Sequence, residues 1–117
     1  MDSIRIVYDA EGDILDIIFS FSEPENRTGF ELNENIVIFT DKEISRALGM
    51  TFISYSRLLI KDSVILDFLN NFPKEEQKRL LKIISSFPVK HFLRVIIPLS
   101  LQVTIEGPSL KELIKAA

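Results

Sequence analysis

The sequence predicts an α+β domain: an N-terminal antiparallel β-meander of about five strands, followed by two or three helices, a further strand and a short C-terminal helix. Three features predict it. Apolar and polar residues alternate through residues 1–58, interrupted every few positions by turn-forming residues. Most connections between those runs are too short for the crossover that parallel neighbours need, which takes about a dozen residues or more. Beyond position 59 the apolar spacing becomes helical and prolines punctuate it. The chain of 117 residues reads as a single domain, with a β-meander part over 1–58 and a mainly helical part over 59–117.

Ile4, Ile6 and Tyr8 alternate with Arg5 and Val7, the period-two pattern of a strand. Asp9-Ala10-Glu11-Gly12-Asp13 follows as a hairpin loop, with Gly12 expected to supply positive φ and the aspartates to bond nearby backbone. Leu15, Ile17 and Phe19 share one face of a second strand, and Asp16 marks its other face as partly wet. The polar stretch Ser20 to Arg27, with Pro24, is a loop. Thr28, Phe30 and Leu32 make a short third strand, Asn33-Glu34-Asn35 a turn, and Ile36 to Phe39, apolar on both faces, a central strand. After Asp41-Lys42-Glu43 a fifth strand runs from about Arg46 to Ile53, where Gly49 marks a bulge or a close packing contact.

The pattern changes near Tyr55. Asp62 or Ser63 is placed to cap a helix carrying Ile65, Leu66, Phe68 and Leu69. Asn70-Asn71-Phe72-Pro73 ends it, and Pro73, Glu75 and Glu76 suit the start of a second helix over Lys74 to Ser86 with Leu80, Leu81, Ile84 and Phe87 as its stripe. Val89, Phe92, Leu93, Ile96 and Ile97 fall at helical spacing, although the β-branched content of 89–97 also fits a strand. Leu99, Leu101, Val103 and Ile105 alternate with polar residues as a half-buried strand able to extend the sheet, within the chain or across a dimer. Gly107-Pro108-Ser109 leads to a short helix bearing Leu110, Leu113 and Ile114.

Composition bounds the function. Hydrophobic residues make up 46% of the chain and its mean hydropathy is +0.19, so it folds, yet it is apolar for its size. A second copy or a constant protein partner is expected to cover the excess, making a homodimer or a partner complex the reading for its associations. The net charge of -3 and pI of about 5.2 argue against nucleic acid. Lys78, Arg79, Lys82, Lys90 and Arg94, diluted by Glu75 and Glu76, read as a solvated helix face. The absence of cysteine excludes disulfides, zinc–thiolate sites and thiol nucleophiles. The N-terminus reads straight into a strand with no signal peptide, and Val89 to Ile105 is too short and too charged for a membrane span, so a cytoplasmic protein with no membrane contact and no cofactor is expected.

Ile6-Val7-Tyr8-Asp9, then Glu11, Asp13 and Leu15-Asp16-Ile17-Ile18-Phe19, and later Ala47-Leu48-Gly49-Met50-Thr51-Phe52 closed by Ser56, resemble the small bacterial family known as domain of unknown function 2283. The resemblance covers roughly residues 4–58 and implies the meander. It departs from the family at Thr51, where an acidic residue is usual, and at Asp41-Lys42-Glu43, which replaces an acidic-plus-glycine turn.

Four carboxylates are the chemical candidates: Asp9, Glu11, Asp13 and Asp16. Alternating acids around a glycine suggest the start of a calcium loop. The glycine, however, falls between Glu11 and Asp13, and Phe19 or Ser20 stands where a bidentate glutamate belongs, so hairpin-turn chemistry explains the same residues. As a general acid–base pair they lack an apolar neighbour to separate their pKa values. His91 is the only histidine and reads as an exposed or capping residue. Tyr55, Ser56 and Arg57 close the meander, with Arg57 able to meet an anion. No glycine-rich phosphate loop exists among Gly12, Gly29, Gly49 and Gly107. The sequence thus points to a non-enzymatic protein–protein interaction or regulatory module that self-associates. The alternative is a small enzyme or ligand-binding protein with a pocket between the sheet and the C-terminal helices, using an aspartate, Arg57 or His91.

Overall fold

A computed structural model describes residues 4–19, 26–97 and 101–106. Five antiparallel strands form the first sheet: β1 Ile4–Asp9, β2 Ile14–Phe19, β3 Thr28–Glu31, β4 Ile36–Thr40 and β5 Ala47–Ile53. Their order is β1-β2-β5-β4-β3. The expected mixed α+β class and five-stranded antiparallel sheet hold, but the chain is not a simple meander, because β2 neighbours β5 and not β3. The break falls at the Ser20–Arg27 connection, the one link between strands in this half that is long enough to carry the chain to the far edge of the sheet.

Local chemistry explains the pairings. The β1–β2 hairpin places Asp9 opposite Ile14, and the backbone N–H of Glu11 donates to Asp9 Oδ1 at 3.2 Å. The positive φ lies on Asp13 (55°) and not on Gly12 as expected, consistent with the tolerance of aspartate for that region. Gly49 combines both roles foreseen for it. The β4–β5 register slips beside it, and a Cβ at this position would sit 2.8 Å from the Ile17 carbonyl oxygen of β2.

After β5 the chain makes a single helical turn, α1 Tyr55–Leu59, which the sequence pattern did not suggest. The helix expected near Ile65 is instead the short strand β6 Val64–Ile65 followed by a 3₁₀ turn over Asp67–Asn71. Two β-branched residues favour the extended state, and the stretch before Pro73 is too short to offset helix nucleation. The 3₁₀ turn keeps the three-residue spacing that buries both Leu66 and Leu69. α2 Lys74–Ile84 buries Leu80, Ile83 and Ile84, while Phe87, expected on its stripe, lies beyond its end and is 56% exposed.

The open alternative at 89–97 resolves mainly to strand: a 3₁₀ turn over Val89–His91 and then β7 Leu93–Ile97. Consecutive Val95-Ile96-Ile97 lose rotamer freedom in a helix and pack well on a sheet. β8 Gln102–Ile105 lies between β6 and β7, forming a second, three-stranded antiparallel sheet. The last strand is therefore the centre of its own sheet and does not extend the first. The segment expected to form the C-terminal helix, with Leu110, Leu113 and Ile114, lies outside the described residues, as does Leu99.

One core joins both halves. The inner face of the first sheet supplies Leu15, Ile17, Phe19, Ile38, Met50 and Phe52; the second half covers them with Leu69, Leu80, Ile84, Phe92, Leu93 and Val103. The Phe19 and Phe92 rings meet with centroids 6.4 Å apart. Backbone bonds add to this junction: Phe68 N–H donates to the Leu32 carbonyl at 3.0 Å, and buried Asn33 donates through Nδ2 to the Ile65 carbonyl at 3.1 Å. Among the described residues no helix is long and apolar enough to cross a membrane.

Candidate functional site

Three places on the molecule bring unusual groups together: the Asp13 turn, a basic groove, and the outer edge of β1. Asp13 ends the first hairpin in the left-handed conformation that aims its carboxylate across the sheet end. Tyr8 Oη donates to Asp13 Oδ1 at 2.6 Å, Ser56 Oγ donates to Oδ2 at 2.7 Å, and Ser56 N–H donates to Oδ1 at 3.0 Å. The Asp13 carbonyl also accepts the Tyr55 N–H at 3.0 Å. Ser54, at the N-terminus of α1, makes no side-chain cap, so an aspartate 43 residues before Ser56 in the chain performs that task. Donation from Tyr8, then from the Ser56 hydroxyl and N–H, holds the Asp13 carboxyl below the usual carboxylate value; the same bond raises the Tyr8 hydroxyl. Burial raises Tyr55, whose ring meets Tyr8 at 6.1 Å and Phe52 at 5.8 Å.

A carboxylate so engaged is a poor proton acceptor, and the cluster is a structural lock. The other acids do not join it. Asp9 accepts the Glu11 N–H, and Asp16 accepts the Thr51 hydroxyl at 2.6 Å on the outer face of the sheet. Among the described residues no group of three or more acidic, histidine or cysteine residues could hold a metal ion. Tyr8, Asp13 and Ser56 thus meet at one point.

The groove lies between the β4–β5 loop, α2 and the turn at Pro88, with a volume of about 750 Å³. Ile44, Ile83, Phe87 and Pro88 give it an apolar lining, and among the described residues Arg46, Arg79 and Lys82 are its cations and Glu43 its anion, with Arg79 also paired to Glu75 at 3.7 Å. Asp41 builds the loop by accepting the N–H groups of Ser45 (2.7 Å) and Arg46 (3.0 Å) and the Ser45 hydroxyl. Burial raises the Asp41 carboxyl, but those donations outweigh it and leave the group below its ordinary value. Ile44, at φ 54°, is a β-branched residue in the left-handed region, held there by packing against the core and by its N–H donating to the Asp41 carbonyl at 3.1 Å. Arg79 spans from α2 to the loop, donating to the Glu43 carbonyl at 2.7 Å.

None of the polar residues proposed for a pocket between the sheet and the C-terminal helices, an aspartate, Arg57 or His91, lines this groove. Arg57 is exposed on α1 beside Asp13, and His91 sits edge-on against Phe87, their centroids 5.3 Å apart. Of the expected basic face only Arg79 and Lys82 reach the groove. Ile44, Ser45 and Arg46 were missed, and the signal for them was the Asp41-to-Ser45 spacing of an aspartate capping a loop.

The third place is the β1 edge. Among the described residues no strand pairs with its outer side, yet Val7 is 51% and Tyr8 47% exposed. Comparison with known proteins adds no relative: no family model, no curated protein and no solved structure matches the chain.

Proposed function

We propose that the protein is a non-enzymatic protein–protein interaction module that self-associates. The observation that carries this reading is the β1 edge, which no described strand covers. Its outward-facing backbone groups meet no described strand, and Val7 and Tyr8 stand in solvent beside them, a combination that monomeric proteins usually blunt. The candidate carboxylates support the same reading from the other side, since Asp9, Asp13 and Asp16 each accept a hydrogen bond that serves the fold. The resemblance of residues 4–58 to the domain of unknown function 2283 belongs to this proposal as a likeness of scaffold. Sedimentation velocity over rising protein concentration tests the reading. A coefficient that climbs to the dimer value supports it, and a constant monomer value at every concentration contradicts it.

The groove favours a second reading, a binding site for an organic anion with an apolar part. Three cations around an apolar lining in a chain of net charge -3 are the specific observation. Titration calorimetry with octanoate tests it. Saturable heat that disappears in Lys82→Glu and Arg46→Glu supports it; no heat with the wild type, or equal heat with the variants, rejects it.

A further inference from the structure

The edge strand carries more than exposure. Along β1 the residues Arg5, Val7 and Asp9 share the outer face of the sheet, and all three are exposed. A two-fold axis that pairs β1 with its own copy must run perpendicular to the sheet, so each residue meets one on the same face. That restricts the pairing to axes through a residue of the strand. Centring on Arg5 sets Arg5 against itself, and centring on Asp9 sets Asp9 against itself, both repulsive. Centring on Ile6 or Tyr8 takes one of the two charges beyond the paired length and sets the other against Val7. Centring on Val7 alone sets Arg5 opposite the copy's Asp9 on each side, Val7 against Val7, and Ile6 against Tyr8, with residues 5–9 overlapping.

We propose that two copies of this chain join antiparallel through β1, with the two-fold axis at Val7 and reciprocal Arg5–Asp9 pairs across it, fusing their sheets into one of ten strands. This rests on the self-association reading and fixes its surface, register and partner. The pairing satisfies open backbone groups along 5–9, and it covers Val7 and Tyr8 together with half-buried Ile6. Tyr8 is already held by Asp13, so its ring is positioned before the partner arrives.

The test uses charge reversal. Arg5→Asp alone, or Asp9→Arg alone, places like charges opposite each other twice per dimer and should weaken association about tenfold or more. Mixing the two single variants makes both cross-strand pairs attractive again and should yield a heterodimer of near wild-type affinity, which also shows that both variants are folded. Because the chain has no cysteine, Val7→Cys should cross-link to dimer on mild oxidation, whereas Ile60→Cys, at a site 84% exposed, should not. A wild-type dimer that is indifferent to the single reversals and fails to cross-link at residue 7 overturns this register while leaving self-association standing. A wild type that stays monomeric overturns both.

Discussion

Asp13 shows how much of this fold rests on one short side chain. It closes the β1–β2 hairpin, takes two donors from Ser56 and one from Tyr8, and so ties the first turn of the chain to the end of β5. Its folded-state pKa lies below the ordinary 3.8, so its contribution is complete above that value and is lost as pH falls through the lowered one. Tyr8 works in the opposite sense: its raised pKa keeps the bond intact below the ordinary 10.0 and loses it as pH rises through the folded value. Stability measured by chemical denaturation should therefore decline in strong acid and again in strong alkali. In Tyr8→Phe the alkaline decline should shrink, and an unchanged alkaline limb would show that the Tyr8 bond contributes nothing. Asp13 as a hinge residue was legible as turn chemistry, but its partners were not. Nothing in the order of residues brings positions 13 and 56 together until β2 pairs with β5. At Ile44 the left-handed backbone makes a sharper comparison. Both Ile44→Gly and Ile44→Ala lose the same packing, but only glycine relieves the conformation, so glycine should be less destabilising than alanine by about 1 kcal/mol in thermal unfolding. Equal losses would mean that the loop carries no strain.

At the scale of elements, strands were more legible than helices. Each strand of the first sheet has a period-two pattern or a short apolar run between turn residues, and burial follows it: in β2, Leu15, Ile17 and Phe19 are buried while Asp16 and Ile18 are only half-buried. The order of the strands was not legible, because a hairpin and a three-stranded meander leave the same local pattern whichever way they join. In the second half, short apolar runs fit either period, and pairing with β8 decided for strands at Val64–Ile65 and Leu93–Ile97. Two contacts make this element-level reading testable. Asn33 bonds the turn after β3 to β6 from a buried position, so Asn33→Ala leaves the Ile65 carbonyl unmatched and should cost about 1–3 kcal/mol of stability. Gly49→Ala drives a methyl group into the β2 backbone and should cost about 1–3 kcal/mol. A neutral effect of either in equilibrium unfolding would contradict the junction described for that site.

For the whole molecule, the central fact is that one apolar cluster runs through both sheets and α2. Phe19 of the first half packs on Phe92 of the second, and Leu80 of α2 is fully buried in the same cluster. Unfolding should be a single transition by circular dichroism and tyrosine fluorescence, and Leu80→Ala should lower the stability of the entire chain by about 2–5 kcal/mol. Two separate transitions would mean that the sheet of residues 4–53 stands alone. The candidate site followed the same rule as the fold. The sequence offered acids in and beside a turn; Asp9 bonds within the turn, and tertiary packing made Asp13 and Asp16 acceptors for Ser56 and Thr51. It offered an excess of apolar residues, and the structure leaves part of that excess on β1, beside an Arg5 and an Asp9 whose spacing suits a second copy.

The bare edge is the centre of this account, and amide hydrogen exchange along Ile4–Asp9 at low and high protein concentration reads it directly. Amides on the outer side of β1 should exchange freely in dilute protein and become protected as concentration rises, while the core amides of β5 stay protected throughout. Protection of β1 that is the same at every concentration would contradict self-association through this strand.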